Sequence, residues 1–502
     1  MAPSPGSPAD RLSLYRGAAV AVLMQWALRL VGLVSVFVLA RLLTPADFGL
    51  VGLAAAALAF VELLGALGLR QALLRIPEPE RAHLDTAFTI QLILFSIMGV
   101  AGLALAPLAA RIYGDPALAW VVAALALRFF LLGLVNIGIV DFDRHLQFGR
   151  DLRMRLCSRL AALAVTLAAA LLFRSYWALV AGLICQSGFH AIASWIVHPY
   201  RPRLSLARRA ELLGVSLWMF AHTFAQTVQQ QVERLALGRF GTAHLVGLFS
   251  VSKDLAEIFT QEIATALNRV TFVAVARTGR PLRENPGGMA PLLGAYAMIA
   301  APMAFGLVAT AEDAVRVLLG AQWVAAAPIL EVVAIYSGLY AVYKVIASAL
   351  QASGSARLVA FLSGGGALFL IACVAGAAFA DPSVMTIAWA ALAANATILL
   401  AGTIAMARVS GAGLGLLLSS IVRPFAAGAL MLAAIRAALP DSGNAFVDLS
   451  VAAAFGAFAF PLFLGLLWLG WGRPAGAEAE GLRLLGEALR GLRARLSARF
   501  AG

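Results

Sequence analysis

Charge is what this sequence has least of. Asp, Glu, Lys and Arg make up 13% of its 502 residues, against 62% hydrophobic residues and a mean hydropathy of +0.89. A soluble chain carries about 25% charged and roughly 45–50% apolar residues. So few charges cannot coat the domains into which a soluble chain of this length would divide. Cysteine is scarce too: Cys157, Cys185 and Cys373 stand apart among apolar neighbours, which excludes a disulfide framework or a thiolate metal site and leaves them as packing residues. The six histidines are dispersed, and neither a Walker-type phosphate loop nor a GxGxxG turn after a strand is present. Ser353-Gly354-Ser355 and Gly364-Gly365-Gly366 are turn and close-packing elements. No cofactor is expected, and no metal site or nucleotide-driven motor. A cleavable signal is not expected either. The opening MAPSPGSPAD is Pro/Ser-rich and expected to be disordered, and the apolar run from Gly17 to Leu39 is too long for a signal core.

What is present is hydrocarbon, in repeated lengths near the roughly 20 residues that span a bilayer. Fourteen segments can be drawn, at 17–39, 49–69, 87–110, 117–140, 156–173, 176–197, 211–232, 244–272, 289–310, 326–350, 358–380, 384–407, 417–438 and 446–470. Backbone groups cannot stay unpaired in lipid, and these segments do not alternate as barrel strands do, so each is expected to be a helix. Turn chemistry marks the breaks: Thr44-Pro45, Gly114-Asp115-Pro116, Asp381-Pro382 and Asp441-Ser442-Gly443. With both termini cytoplasmic, twenty-five Lys and Arg fall on the inner side and seven on the outer, which supports that orientation. The net charge of +13 then points to anionic membrane lipid as the partner rather than nucleic acid. The tail from Gly481, GLRLLGEALRGLRARLSARF, sets Leu against Arg as an amphipathic helix on the inner membrane surface would.

Shifting the sequence by 198 residues lays RLLTPADFGL (41–50) over RFGTAHLVGL (239–248), with Arg, Thr, Gly and Leu coincident. Each copy is a polar break between the first two segments of a six-segment block, and the basic connector HPYRPRLSLARR lies between the blocks. The expected fold is an all-α polytopic membrane protein of about fourteen helices. It divides into an N-terminal lobe (1–205, helices 1–6), a C-terminal lobe (206–410, helices 7–12), helices 13–14 (411–472) and a cytoplasmic amphipathic tail (473–502). Six being even, the lobes form a parallel repeat about a pseudo-two-fold axis along the membrane normal, a design that places substrate between halves.

Chemistry is concentrated in the few charges inside spans. Arg29, Arg128, Lys253, Arg269, Lys344 and Arg423 remain there after the loops are counted. A basic residue at a span centre costs roughly 2.5–3.5 kcal/mol, so it should face a partner or a water-filled cavity. Arg269, Lys344 and Arg423 lie nearer cytoplasmic ends and can snorkel. In helix 7 His222, Gln226, Gln229, Gln230 and Glu233 fall on one face, and helix 8 carries Lys253, Glu257, Gln261 and Asn268. Inter-helix hydrogen bonding is one use for such groups; two adjacent polar stripes suit a hydrated, substrate-lining surface, amides for sugar and Arg or Lys for phosphate. Lys253–Glu257 is an i, i+4 pair that can neutralise itself. Glu62 has no sequence-local partner, and is a candidate partner for Arg29 or a proton site; Glu62 and Glu257 are the candidates for ion coupling.

The run VLARLLTPADFGLVGLA (38–54) with ELLGALGLRQALL (62–74) resembles the opening of Wzx-type polysaccharide and O-antigen flippases, of the multidrug/oligosaccharidyl-lipid/polysaccharide exporter superfamily. APMAFGLVATAEDAVRVLLGAQWVAAAPIL (301–330) and ALQASGSARL (349–358) are similar to it as well. The resemblance implies two six-helix lobes around a cavity. It implies flipping of an undecaprenyl-diphosphate-linked oligosaccharide from the cytoplasmic to the periplasmic leaflet of a bacterial inner membrane, for O-antigen, capsule or exopolysaccharide assembly, alongside other assembly proteins. Diphosphate would then meet Arg29, Arg128, Lys253 and Arg269, and sugar would lie along His222, Gln226, Gln229, Gln230, Glu233 and Gln261. A glutamate at position 62 departs from the basic residues that relatives place on helix 2. The alternative is an ion-coupled drug or cation antiporter of the same superfamily, in which acidic residues dominate the cavity. A membrane-embedded sugar polymerase or ligase would need a long outer loop, which is missing.

Overall fold

The computed structural model of the chain describes residues 28, 30–65, 69–76, 78–145, 147–212, 217–278, 288–440, 442–472 and 476–479; the side chains of 71, 75, 148 and 261–278 lie outside the description. Among the described residues fourteen long helices follow one another, one in each expected apolar segment: α1 (Leu30–Leu42), α2 (Pro45–Glu62), α3 (Arg81–Tyr113), α4 (Pro116–Gly133), α5 (Phe148–Phe173), α6 (Trp177–Val197), α7 (Leu217–Phe240), α8 (Ala243–Thr278), α9 (Met289–Ala309), α10 (Ala327–Ala352), α11 (Ala356–Ala380), α12 (Val384–Ser410), α13 (Leu414–Ala438) and α14 (Ala445–Gly470). No strand occurs among the described residues. Eleven of the helices, all but α1, α7 and α8, are long and apolar enough to cross a membrane. The chain is a multi-pass membrane protein.

The breaks are built from the turn residues the sequence displays. Thr44 is the N-cap of α2: its hydroxyl accepts from Asp47 N, and the Asp47 carboxylate accepts from Thr44 N at 2.9 Å, a closed capping box with Pro45 in the first turn. Asp47 also accepts from Tyr176 N at 2.9 Å, tying the turn to the start of α6. Gly114 ends α3 in the left-handed region (φ 71°), and Asp115 caps α4 through Ala117 N at 2.8 Å. One helix in particular starts earlier than hydropathy predicts. The α5 helix begins at Phe148 instead of 156, because Arg150, Asp151 and Arg155 interrupt hydropathy without interrupting a helix, and Asp151–Arg155 form an i, i+4 pair at 2.9 Å.

Two compact units make up the chain: Met1–Thr227 with Leu237–Gly247, and Val228–Ala236 with Leu248–Gly502. In the first, α4 packs along α2, α3 and α6, and α5 along α6. In the second, α10 packs along α9 and α12, and α11 along α12. The pairs α3·α4, α4·α6 and α5·α6 recur six helices later as α9·α10, α10·α12 and α11·α12, which is the packing signature of an internal repeat. The α13 helix is added onto α9, and α14 onto α13.

Within the first unit the connector 198–212 is laced to the start of α3. Asp85, buried, accepts from Tyr200 OH and from Arg203 N at 2.8 Å, and Thr89 Oγ1 accepts from Ser205 N at 2.9 Å. Arg208 bridges Glu80 and Glu211 at 3.0 Å each. Part of the connector's basic charge is therefore used on protein carboxylates rather than lipid.

The repeated turns meet each other. A Cβ on Gly49 would collide with the Ala243 carbonyl oxygen and come within 2.8 Å of Gly247 N; one on Gly247 would collide with the Pro45 carbonyl oxygen and come within 3.1 Å of Gly49 N. Positions 45 and 243, like 49 and 247, are equivalent under the 198-residue shift, so the contact is reciprocal. The obstacles are backbone atoms, which a side-chain rotation cannot clear. Gly49→Ala and Gly247→Ala are each expected to cost about 1–3 kcal/mol as overpacking, read as a lower melting temperature of the purified protein. Gly364→Ala, in open space inside α11, is expected to be neutral or stabilising by up to about 1 kcal/mol. Equal melting of all three would sink this account.

Candidate functional site

Parts of the polar stripes of α7 and α8 come together in the second unit. Gln229, Gln230 and Glu233 of α7, Lys253 and Glu257 of α8, Tyr336, Ser337 and Tyr340 of α10 and Asn395 of α12 surround a void of only about 10 Å³. A void of this size has room for about one water. Lys253 donates to Glu233 Oε2 at 3.0 Å and to Gln230 O at 2.9 Å; the two charged side chains are 5% and 1% exposed. A buried ammonium needs such a counter-ion, since desolvation of either charge alone is costly. The sequence offered Glu257 as the neutralising partner; the one at hydrogen-bond distance is Glu233, one helix away. Gln229 Nε2 donates to Ser363 O at 2.9 Å, and Arg234 pairs with Asp254 at 2.6 Å. This cluster is close-packed. His222 and Gln226, the other members of the α7 stripe, belong to the first unit, His222 buried and Gln226 half-buried. Arg29 lies outside the described residues, as do the side chains of Gln261 and Arg269, whose backbone is part of α8.

Open space lies in the first unit. A cavity of about 400 Å³ is lined by Arg128 of α4, by Arg155, Ser158 and Arg159 of α5 and by Gln186, Ser187 and His190 of α6, with Leu28, Leu132 and Leu183. Arg128 pairs with Glu62 of α2 at 2.9 Å, which gives Glu62 a partner two helices away. Arg155 engages Asp151 through Nε alone, leaving its two terminal nitrogens without a partner among the described residues. Arg159 lies against α1 at Gly32, where any side chain would displace its guanidinium. A second cavity of about 470 Å³ shares Leu132 and His190 with the first.

Sequence reasoning placed Arg128 among the cavity bases but counted Arg155 and Arg159 among the inner-side charges, Arg155 because hydropathy started the helix at 156 and Arg159 because it falls in the first turn of that segment. The signal was there. Arg155 and Arg159 are four apart, as are Gln186 and His190 in α6, so each pair shares a helical face.

The family model of polysaccharide biosynthesis proteins matches residues 38–328, more than half of the chain. Over 308 residues the chain is 26% identical to succinoglycan biosynthesis transport protein ExoT of Rhizobium meliloti (strain 1021), covering 61% of this chain and 62% of ExoT. It is 23% identical to teichuronic acid biosynthesis protein TuaB of Bacillus subtilis (strain 168), over 74% of this chain and 78% of TuaB. To lipopolysaccharide biosynthesis protein WzxC of Escherichia coli (strain K12) it is 23% identical over 64% of this chain and 66% of WzxC. The match thus spans under two thirds of ExoT and of WzxC. Among solved structures, lipid II flippase MurJ in an inward closed conformation superposes with a TM-score of 0.70 at 10% identity, over 90% of this chain and 99% of MurJ. An inward-facing multidrug resistance transporter of the MATE family, MOP superfamily, superposes with a TM-score of 0.54 at 16% identity, over 76% of this chain and 96% of that one. At these identities the structural likeness concerns the fold.

Proposed function

Because the chain belongs to the family of polysaccharide biosynthesis proteins, we propose that it is a flippase for a lipid-linked oligosaccharide. It carries an undecaprenyl-diphosphate-linked glycan from the cytoplasmic to the outer leaflet of a bacterial inner membrane, with both termini cytoplasmic. The observation that carries this reading is the cavity of the first unit, where three arginines from α4 and α5 face one space. Arginine's planar fork matches phosphate oxygens two at a time, which an ammonium cannot do. Arg128, Arg155 and Arg159 hold the diphosphate. Sugar lies along the α7 stripe from His222 and Gln226. Lys253 becomes available to phosphate only in a state where Glu233 releases it. Alternating access then comes from rocking of one repeat against the other, with Glu62 and Glu257 as the coupling groups.

The test is complementation of a strain lacking the protein. Arg155→Gln with Arg159→Gln removes two charged donors, each worth about 1.5–3 kcal/mol in a charge-assisted hydrogen bond. Surface polysaccharide is expected to fall at least tenfold at unchanged protein level. Full complementation by this double variant would refute the assignment.

A further inference from the structure

The second cavity of the first unit differs from the first in chemistry. Among its lining residues, Leu69, Leu94, Phe95, Leu132, Val135 and Val140 are apolar. Of its polar residues, Gln91, Arg70 and Asn136 already have partners, and His190 stands where it meets the first cavity. Gln91 donates to Gly133 O at 3.2 Å and to Val135 O at 2.8 Å, and Arg70 Nε donates to Asp143 at 2.6 Å. Asn136 donates to Tyr200 O and Ser194 Oγ and accepts from Gly138 N. An apolar guest away from His190 therefore strands no polar side chain among Gln91, Arg70 and Asn136, and stranding one is the main penalty against such a guest. The cavity next door is cationic instead, lined by Arg128, Arg155 and Arg159. The two spaces are adjoined, with Leu132 and His190 lining both.

We infer that the two cavities form one amphiphile site, in which the arginine cavity takes the diphosphate and the apolar cavity takes the first isoprene units of the lipid carrier. This rests on the proposed function and adds to it the position of the carrier chain. The covalent bond from diphosphate to prenyl chain requires an apolar space directly beside the phosphate site, and this is where the structure has one. A sugar in the apolar cavity would find Gln91, Arg70 and Asn136 already engaged, so the glycan leaves the phosphate by another route.

The test is binding to the full-length protein in detergent, with inorganic diphosphate and farnesyl diphosphate as probes. Farnesyl diphosphate is expected to bind at least tenfold more tightly. Gly65→Phe and Leu94→Trp each add an aromatic ring at the apolar wall. Each is expected to bring farnesyl diphosphate down to the affinity of inorganic diphosphate while leaving the latter unchanged, which also reports that the variant is folded. Arg155→Gln with Arg159→Gln weakens both ligands. The inference is overturned if wild type binds the two probes equally, or if both filling variants retain the farnesyl preference. It is overturned too if dodecyl phosphate competes as well as farnesyl diphosphate, because the cavity then accepts any phosphate-headed chain. Inorganic diphosphate binding that depends on Arg155 and Arg159 keeps the phosphate reading alive in each of these cases; loss of all binding in wild type removes both.

Discussion

Glu478→Ala is expected to destabilise the protein by about 3–5 kcal/mol, the loss typical when one partner of a buried ion pair is removed. Arg423, in α13 just before Pro424, is 0% exposed, and its NH1 lies 3.2 Å from Glu478 Oε1, itself buried. Its Nε donates to Ser419 O at 3.0 Å. Ala477 seats against Gly294 of α9, 3.1 Å from where a Cβ would stand. Segment 476–479 is thus part of the second unit's interior, and cutting Glu478 back leaves a guanidinium with no counter-ion in an apolar surround. A matched replacement, Arg423→Met with Glu478→Leu, should recover most of the loss, since buried pairs often exchange for apolar ones at little cost. Thermal melting of the two single variants and the double variant measures both statements. Single variants that melt within a degree of wild type would mean the pair contributes nothing.

Lys253→Met is expected to be comparably damaging, for a reason separate from substrate. It strands the Glu233 carboxylate, which is 1% exposed. Glu233→Gln in the same chain should restore stability, because a neutral amide needs no counter-ion at that depth. Transport follows stability in the double variant if Lys253 serves chiefly to neutralise Glu233. A variant Lys253→Met that melts like wild type, transports nothing and gains nothing from Glu233→Gln would instead make Lys253 a direct ligand of substrate.

These pairs show where sequence reading reaches and where it stops. The fourteen helices were legible because lipid imposes length and hydropathy on each one locally, and Thr44-Pro45 and Gly114-Asp115-Pro116 carry their turn chemistry within a few residues. Partners across helices were not legible. Arg423 reads as a snorkelling residue, and its glutamate lies in a tail otherwise read as a surface helix; beyond 479 that tail is outside the described residues. Glu62 was matched to Arg29 because both are isolated in apolar segments; the structure pairs it with Arg128. The α7 and α8 stripes read as polar faces in the sequence, but periodicity cannot tell a face that lines water from one that is stitched shut by its neighbours.

The reciprocal contact of Gly49 and Gly247 has a bearing on ancestry. Residue i touching j while the counterpart of j touches the counterpart of i is the rule of an isologous interface, the form by which two copies of one polypeptide associate. Before the halves were joined in one chain, a single glycine codon would have served both sides of that contact, and any larger residue would have obstructed it twice over. In a joined chain that constraint falls on two separate codons, free to diverge in everything but size. The flanking residues have used that freedom, Pro45 standing where its counterpart is Ala243 and Asp47 where it is Leu245. The two glycines have not.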